Sequence, residues 1–327
     1  MRVEFSTDPR DFVARDWTDL VLVDPAATFF HQPRYLKLYW EEFGHEGDLL
    51  LAFGVEDDVT VGAAAFERVG GTLRFLGGTE VTDYMGPVAR PGSEDGFAKE
   101  LFDALDTVDG WTDADLRGVP LDSPWVERLR GAAEGAGLSV EIGEDSVAPF
   151  LSLPATFEDY LAGLPGKMRH EIKRKARKLR EETGGYEVVR ASAETLTEDL
   201  DRFVELHRSS EGPKGKFMEP GMEIFFRRLG KEFLPHGVFR LTFIQIDGDK
   251  IAGAIGFSFG GTLSLYNSAY DRRWSRLAPG MVLVGDLIKE AIDEGCRTFD
   301  MLKGDLGYKY RFGATARPVK RFEVRRG

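Results

Sequence analysis

The sequence lacks most of the features that mark secreted and membrane-spanning proteins. Its 327 residues include one cysteine, Cys296. This excludes an internal disulfide, and the apolar stretch around the residue predicts that it packs in a core. No run of 18 apolar residues occurs, so no transmembrane helix is expected, and the N-terminus has no apolar stretch of the signal-peptide type. We therefore expect a soluble, cytoplasmic protein, whose oligomeric state the sequence leaves open.

Metal-binding and nucleotide-binding patterns are missing as well. No two histidines have a helical ligand spacing with a suitable third ligand, so no metal is predicted; the five are His31, His45, His170, His207 and His236. Neither a Walker-type loop nor a G-x-G-x-x-G turn occurs. Positive charge is also scarce overall. The formal net charge of −12 argues against a general affinity for nucleic acid or anionic membranes.

What the sequence does contain is a duplication. The tetrad GGTL occurs at Gly70–Leu73 and again 190 residues later at Gly260–Leu263, and the segment 61–75 aligns with 251–265 at the same offset. Several matches in the same order indicate a repeated unit. A chain of this length suits two domains, which we place at residues 1–150 and 151–327.

Each copy is predicted to be an α/β (α+β) domain with a mixed, mainly antiparallel sheet flanked by helices. The second copy should have strands at 238–246, 250–259, 262–270 and 297–302 and a helix at 280–294. The first should have strands near 48–55, 59–67, 72–76 and 113–118 and a helix near 94–106. Other helical patterns lie near 31–43, 124–136, 157–183, 196–211 and 219–234. The final strand pattern, Pro318–Val324, is a candidate to return to the first domain.

One predicted helix is strongly basic. From Lys167 to Arg180 there are eight lysines and arginines and one acid. An apolar stripe at helical spacing should face the core: Met168, Ile172, Ala176 and Leu179. Arg169, Lys173 and Arg177 share another face and could bind an anionic acceptor or donor. The alternative is an ordinary solvated charged face.

Several motifs of the second half together resemble a known family. They are RHEIKRKARKLREE (169–182), NSAYD (267–271), LAPGMVLVGDLIKEAIDEG (277–295), FDMLKGD (299–305) and YKYRFG (308–313). In this order they resemble the CelD/BcsL-like branch of the GNAT acetyltransferases, which is similar to the Fem peptidyltransferases with their two GNAT-like domains. The resemblance covers 150–315 well and 25–120 faintly, and it implies tandem GNAT-like domains.

The resemblance also implies a site for an acyl-CoA donor. Its pantetheine arm would add along the strand 262–270, and its pyrophosphate would bind the following helix N-terminus. The candidate binding residues there are Arg272, Arg273, Arg276, Gly280 and Met281. A solvated arginine loop is the alternative. Between Leu76 and Glu94 the first half has only one basic residue, Arg90, so we expect the donor site in the second half and a degenerate or acceptor-contacting role for the first.

Acyl transfer needs a neutral amine, stabilisation of the carbonyl oxygen and a proton for the leaving group. The two carboxylates at strand ends, Asp271 and Asp300, could deprotonate the amine, and Tyr270 and Tyr308 could protonate the leaving group. By resemblance to the Fem enzymes, Lys309 would contact the donor or the developing oxyanion. Structural roles without catalysis are the alternative for four of these residues: a strand aromatic for Tyr270, a turn residue for Asp271, a helix cap for Asp300 and a surface charge for Lys309.

The leading hypothesis is an N-acyltransferase that moves an acyl group from acetyl-CoA or another acyl-CoA to a small or carrier-linked amine. The alternatives are a Fem-like transferase using aminoacyl-tRNA and a non-catalytic module that binds CoA or a nucleotide. The Gly/Pro-rich segment 209–221 could be a mobile loop over the acceptor site or a simple connector.

Overall fold

The computed structural model describes residues 1–44, 47–210 and 213–326. His45 lies outside these residues, as do positions 211 and 212 of the Gly/Pro-rich segment. The chain divides into two compact units. The first comprises 1–147 together with the C-terminal segment from 317, and the second comprises 148–316.

In the first unit a sheet is flanked by helices. Its strands are β1 Arg2–Ser6, β2 Asp48–Glu56, β3 Val59–Val69, β4 Thr72–Phe75, β5 Val88–Ala89, β6 Asp113–Pro120, β7 Ser139–Val147 and, from the C-terminus, β14 Pro318–Arg325. Its helices are α1 Asp11–Ala14, α2 Thr18–Val23, α3 Pro33–Phe43, α4 Glu94–Leu105 and α5 Trp125–Gly135. Across the described residues the strand order is β1-β2-β3-β4-β6-β14-β7, with β5 paired to β3. The last strand thus lies between β6 and β7 of this unit.

The second unit repeats this plan. Its strands are β8 Phe150–Ser152, β9 Glu187–Arg190, β10 Phe239–Ile246, β11 Asp249–Phe259, β12 Thr262–Tyr270 and β13 Thr298–Asp300. Its helices are α6 Phe157–Gly163, α7 Gly166–Thr183, α8 Leu196–Arg208, α9 Pro213–Phe217, α10 Pro220–Phe233, α11 Pro279–Asp293 and α12 Gly307–Tyr310. The strand order among described residues is β8-β13-β12-β11-β10-β9, and β12 and β13 are parallel.

The two GGTL tetrads occupy equivalent places, so the predicted duplication is confirmed. Each begins with two glycines at positive φ, +57° and +87° at Gly70 and Gly71 and +59° and +77° at Gly260 and Gly261. Both pairs turn one long strand into the next, β3 into β4 and β11 into β12. Glycine suits such a turn because it adopts positive φ without the steric cost of a Cβ.

Helices cover the sheet of the second unit on both faces. Neighbouring residues of a strand point to opposite sides, so β12 contributes side chains to both layers. Leu263 and Leu265 join the core formed with α11, which includes Leu283 and Leu287. Tyr266 points the other way, and its ring lies 5.4 Å from that of Phe226 on α10. Both layers are apolar, which fixes the register of β12 between them.

The helical region 157–183 forms two helices instead of one. The single helix expected at 157–183 is wrong, because α6 ends at Gly163 and α7 begins at Gly166. Pro165 lies between them, and proline cannot donate the backbone bond that a continuous helix needs. The apolar stripe of α7 is confirmed: Leu179 is fully buried, and Met168, Ile172 and Ala176 pack against the core. Cys296 also packs against this core, as expected.

Candidate active site

The two parallel strands of the second unit separate after a short contact. They pair at Thr262 with Thr298, Leu263 with Phe299 and Ser264 with Asp300. Beyond this point Met301 donates its backbone N–H to the carbonyl of Pro149 at 2.9 Å, away from β12. Strand β12 continues to Tyr270 with no strand beside it on this edge in the described chain. Its backbone groups are therefore available to a ligand.

A β-bulge lies in this free stretch of β12. Ile255 pairs with Asn267 and Gly256 with Leu265, so one extra residue, Tyr266, is accommodated in β12. At Gly256 a Cβ would lie 2.6 Å from the carbonyl oxygen of Ser264, so only glycine fits there. Bulges re-aim side chains and are common beside active sites. Here the bulge precedes the polar residues Asn267 and Ser268.

The N-terminus of α11 lies at the end of β12. A 3-10 helix, Arg272–Leu277, leads into Ala278 in the left-handed conformation, and Pro279 starts α11. The N-cap residue, Ala278, has no polar side-chain group that could cap this N-terminus. A Cβ on Gly280 would lie 3.2 Å from the ring of Tyr270, so the ring packs against this first turn. An uncapped N-terminus of a 15-residue helix has a positive potential and suits a phosphate group.

Cations from the basic helix α7 gather at this N-terminus. The ammonium of Lys175 lies 3.2 Å from the sulfur of Met281 in the first turn of α11. That of Lys178 lies 3.5 Å from the carbonyl of Arg276. Arg276 is 71% exposed and pairs with Glu182 at 2.7 Å. Sequence reasoning missed Lys175 and Lys178, because the contact between two helices so far apart in sequence has no local signal.

The other two arginines of the loop differ. Arg273 donates from its side chain and its backbone N–H to the carboxylate of Asp271, at 2.6 to 3.1 Å. Arg202 lies 3.9 Å from the same carboxylate. The hydrogen bonds from Arg273 hold the pKa of the Asp271 carboxyl below its usual range. Asp271 therefore caps the 3-10 helix and is a weak base. Arg272 is exposed.

A second group of candidates surrounds the end of β13. Asp300 is 3% exposed and accepts the N–H of Leu302 at 2.8 Å. The ammonium of Lys309 donates to the carbonyls of Leu302 and Lys303 at 2.8 and 2.9 Å. Leu302 has a φ of +57°, an unusual conformation for leucine that these contacts stabilise. Asp300 and Lys309 thus fix the turn at Leu302. This turn lies beside the opening between β12 and β13, which separate beyond the pair of Ser264 with Asp300.

Lys309 is not a surface residue. Its exposed fraction is only 3%, so the reading of it as a surface charge is wrong. The reading of Asp300 as a helix cap is wrong too, because Asp300 ends a strand and caps the turn that follows. Tyr308, in the same short helix α12, packs against the core, and burial raises the pKa of its hydroxyl. It therefore stays protonated at neutral pH.

The remaining candidates lie along the exposed side of α7. Lys173 and Arg177 are exposed, and Arg169 is partly buried. Arg177 lies 3.8 Å from Glu181, and both side chains are about 70% exposed, so this ion pair contributes little stability. The structure places these residues on the helix that also carries Lys175 and Lys178, and the two groups form one basic element.

The corresponding region of the first unit is closed. Strand β4 ends at Phe75, and the segment 76–87 folds back so that the N–H of Met85 donates to the carbonyl of Gly118 on β6 at 3.0 Å. Tyr84 in this segment is 1% exposed. The first turn of α4 carries two acids, Glu94 and Asp95. In the described residues of this unit the strand edge is therefore filled, and Arg128, a cation beside the start of α4, is paired with Asp95 at 2.7 Å.

Comparison with known families places a GNAT domain in the second unit. Residues 166–310 match the family described as acetyltransferase (GNAT) domain. No curated protein sequence matches the chain. Among the described residues, no cluster of three histidine, cysteine or acidic side chains could hold a metal ion. In the same residues, no helix is long and apolar enough to cross a membrane.

Solved structures resemble the whole chain. FemX is 10% identical, with a TM-score of 0.68 over 98% of this chain and 97% of its own. The C-terminal domain of a putative lysylphosphatidylglycerol synthetase from Agrobacterium fabrum is 12% identical, with a TM-score of 0.59 over 98% and 93%. A tandem GNAT protein from the clavulanic acid biosynthesis pathway is 12% identical, with a TM-score of 0.50 over 98% of each chain. The chain therefore has a tandem GNAT-like, Fem-like fold.

Proposed function

We propose that the second unit transfers an acyl group from an acyl-CoA to the amine of a small or carrier-linked acceptor, and that the first unit is a copy without a donor site. The observation that carries this proposal is the meeting of the free edge of β12 with the cation-lined N-terminus of α11. A donor with phosphates at one end and an amide-containing arm at the other matches both features. The GNAT match over 166–310 supports the same reaction class.

In this proposal the phosphates bind the first turn of α11 at Gly280 and Met281. Lys175, Lys178 and Arg276 supply positive charge around that turn. The arm then forms hydrogen bonds with backbone groups on the free edge of β12 between 265 and 270, apart from the N–H of Ser268, which already donates to the side chain of Asn267. Arg273 contributes mainly by holding Asp271, since its guanidinium already binds that carboxylate.

The transfer itself is a direct attack. The nitrogen lone pair of the acceptor forms a bond to the thioester carbonyl carbon, and the carbon–sulfur bond then breaks. We assign proton donation to the leaving thiolate to Tyr308, whose phenol is protonated at neutral pH and which lies in the same short helix as Lys309. Asp300 is the candidate that accepts the amine proton, and Lys309 supplies positive charge near the developing oxyanion. Tyr270 covers the donor's entry at Gly280.

A second candidate donor is an aminoacyl-tRNA. The observation that favours it is the basic side of α7, where Lys173 and Arg177 are exposed and Arg169 is partly buried, and which extends beyond the phosphate-binding turn. The likeness to FemX over nearly the full length of both chains points the same way. A polynucleotide would use this whole surface, whereas a CoA molecule would occupy only its end at α11.

Calorimetric titration with acetyl-CoA tests the leading proposal. We expect saturable binding that weakens about threefold to tenfold for each of Lys178→Ala and Arg276→Ala, since both contacts are charge-assisted but partly solvated. Lys289→Ala is the matched control, because this lysine lies towards the other end of α11 and pairs with Asp293. Absence of saturable acetyl-CoA binding, together with tight binding of an aminoacyl-tRNA, would show that the donor is an aminoacyl-tRNA and not an acyl-CoA.

A further inference from the structure

A buried histidine contacts the free stretch of β12. His207, in the last turn of α8, is fully buried, and its ring lies 5.9 Å from the rings of Phe203 and Phe217. Its Nε2 lies 3.1 Å from Oδ1 of Asn267. Asn267 is the bulge partner of Ile255, three residues beyond the last pair between β12 and β13.

The hydrogen bonds fix the orientation of the Asn267 amide. Its Oδ1 accepts the backbone N–H of Ser268 at 2.9 Å. A backbone N–H can only donate, so the atom facing Ser268 is the oxygen. Nε2 of His207 must therefore carry a proton and donate it to the same oxygen. Both lone-pair directions of Oδ1 are then used.

The amide nitrogen of Asn267 is left with its two N–H groups. Within the described part of the chain it has no hydrogen-bond partner, although the residue is half-buried. A polar group of this kind, held rigidly at its other end, is pre-organised to donate to a ligand. Asn267 precedes Tyr270 by three residues, or about 10 Å of strand. It therefore lies further into the opening between β12 and β13 than the phosphate-binding turn of α11.

We infer that Asn267 donates a hydrogen bond to the carbonyl oxygen of the acyl group being transferred, and that His207 is the positioning residue that orients it. This inference rests on the proposed function, because it needs a donor whose arm follows the edge of β12. As the tetrahedral intermediate forms, the carbonyl oxygen becomes negative and the N–H donor stabilises it more strongly. His207 does not contact the donor, and its effect passes through Oδ1 of Asn267.

Two CoA thio-derivatives isolate the carbonyl contact without any acceptor. Acetyl-CoA has the carbonyl oxygen, and S-ethyl-CoA replaces the acetyl carbonyl by a methylene group. In the wild-type protein we expect acetyl-CoA to bind about fivefold more tightly, the equilibrium equivalent of one net hydrogen bond. Asn267→Ala should reduce this ratio to about one while leaving the affinity for S-ethyl-CoA unchanged. Ser268→Ala is the matched control and should keep the ratio.

His207 is tested by a loss and a rescue. His207→Phe keeps an aromatic ring in the buried position but has no N–H, so the ratio should also fall to about one. His207→Gln has a side-chain amide that can donate to Oδ1, and it should restore at least part of the ratio. Rescue by glutamine would not follow from a role in packing alone.

The outcomes separate the inference from the proposed function. If the wild-type protein binds both compounds but Asn267→Ala keeps the preference for acetyl-CoA, the assignment of Asn267 is wrong and the donor site stands. If the wild-type protein binds neither compound, the acyl-CoA proposal and this assignment both fall. If His207→Phe unfolds, the Asn267→Ala and His207→Gln variants still decide the question.

Discussion

Replacing Lys309 by methionine should destabilise the second unit, whereas the same replacement of a surface lysine would leave its stability nearly unchanged. The ammonium is buried and donates to the carbonyls of Leu302 and Lys303 at 2.8 and 2.9 Å. Methionine keeps the apolar stem but removes both hydrogen bonds and leaves two carbonyls without this donor. The left-handed turn at Leu302 then loses one of its two supports.

The magnitude follows from these contacts. A hydrogen bond from a charged donor contributes about 1.5–3 kcal/mol. Removal of a buried charge also relieves a desolvation cost, which offsets part of the loss of two such bonds. We expect a net loss of about 2–4 kcal/mol in the free energy of unfolding. For a unit of this size, the Tm should fall by about 5–15 °C.

Differential scanning calorimetry measures this fall in Tm when Lys309→Met is compared with the wild-type protein and with Lys289→Met as the control. Lys289 is 52% exposed and pairs with Asp293 of its own helix, so its variant should lose less than about 0.5 kcal/mol. With a donor and acceptor in hand, turnover of Lys309→Met should also fall about a hundredfold at a temperature where it is folded. An unchanged Tm would refute the buried network, and wild-type turnover would remove Lys309 from the proposed chemistry.

Three further perturbations follow from individual contacts. Glu182→Gln releases Arg276 from its ion pair, so acetyl-CoA affinity should rise about threefold at low ionic strength and not at high salt, as titration calorimetry would show. Burial lowers the pKa of His31 from 6.5 to about 4. The stability that its neutral form provides is complete above about pH 6.5 and is lost as the pH falls towards 4, by up to about 3 kcal/mol, and urea titrations of His31→Asn should lack this loss. Under the aminoacyl-tRNA alternative, Lys173→Ala combined with Arg177→Ala should reduce the logarithmic salt slope of tRNA binding by about 1.5 in filter-binding assays. A slope equal to that of wild type would mean that α7 does not contact the nucleic acid.

Much of the fold could be predicted from local patterns. Strand 262–270 has the bounds expected for it, because a double glycine precedes its alternating residues and a charged loop follows them. The repeat was visible because the turn GGTL needs glycine at positive φ in both copies. Pro165 marks a helix break that the apolar periodicity of 157–183 had hidden.

The site was harder to predict, because its residues meet only in the folded chain. The loop arginines and the basic helix suggested two separate surfaces, yet Lys175 and Met281 are in contact. Burial of Lys309 depends on the turn at Leu302, which has no sequence pattern. His207 had been considered only as a metal ligand, and its contact with Asn267 joins α8 to β12.

Hydrogen exchange with and without acetyl-CoA tests whether the donor binds between β12 and α11. We expect slower exchange of backbone amides at 280–284, in the first turns of α11, and at 265–270, on the free edge of β12. The equivalent helix start at 94–98 in the first unit should exchange at an unchanged rate, because it carries acids and its opening is filled. Protection at 94–98, or no protection in either unit at saturating acetyl-CoA, would show that this donor site is wrong.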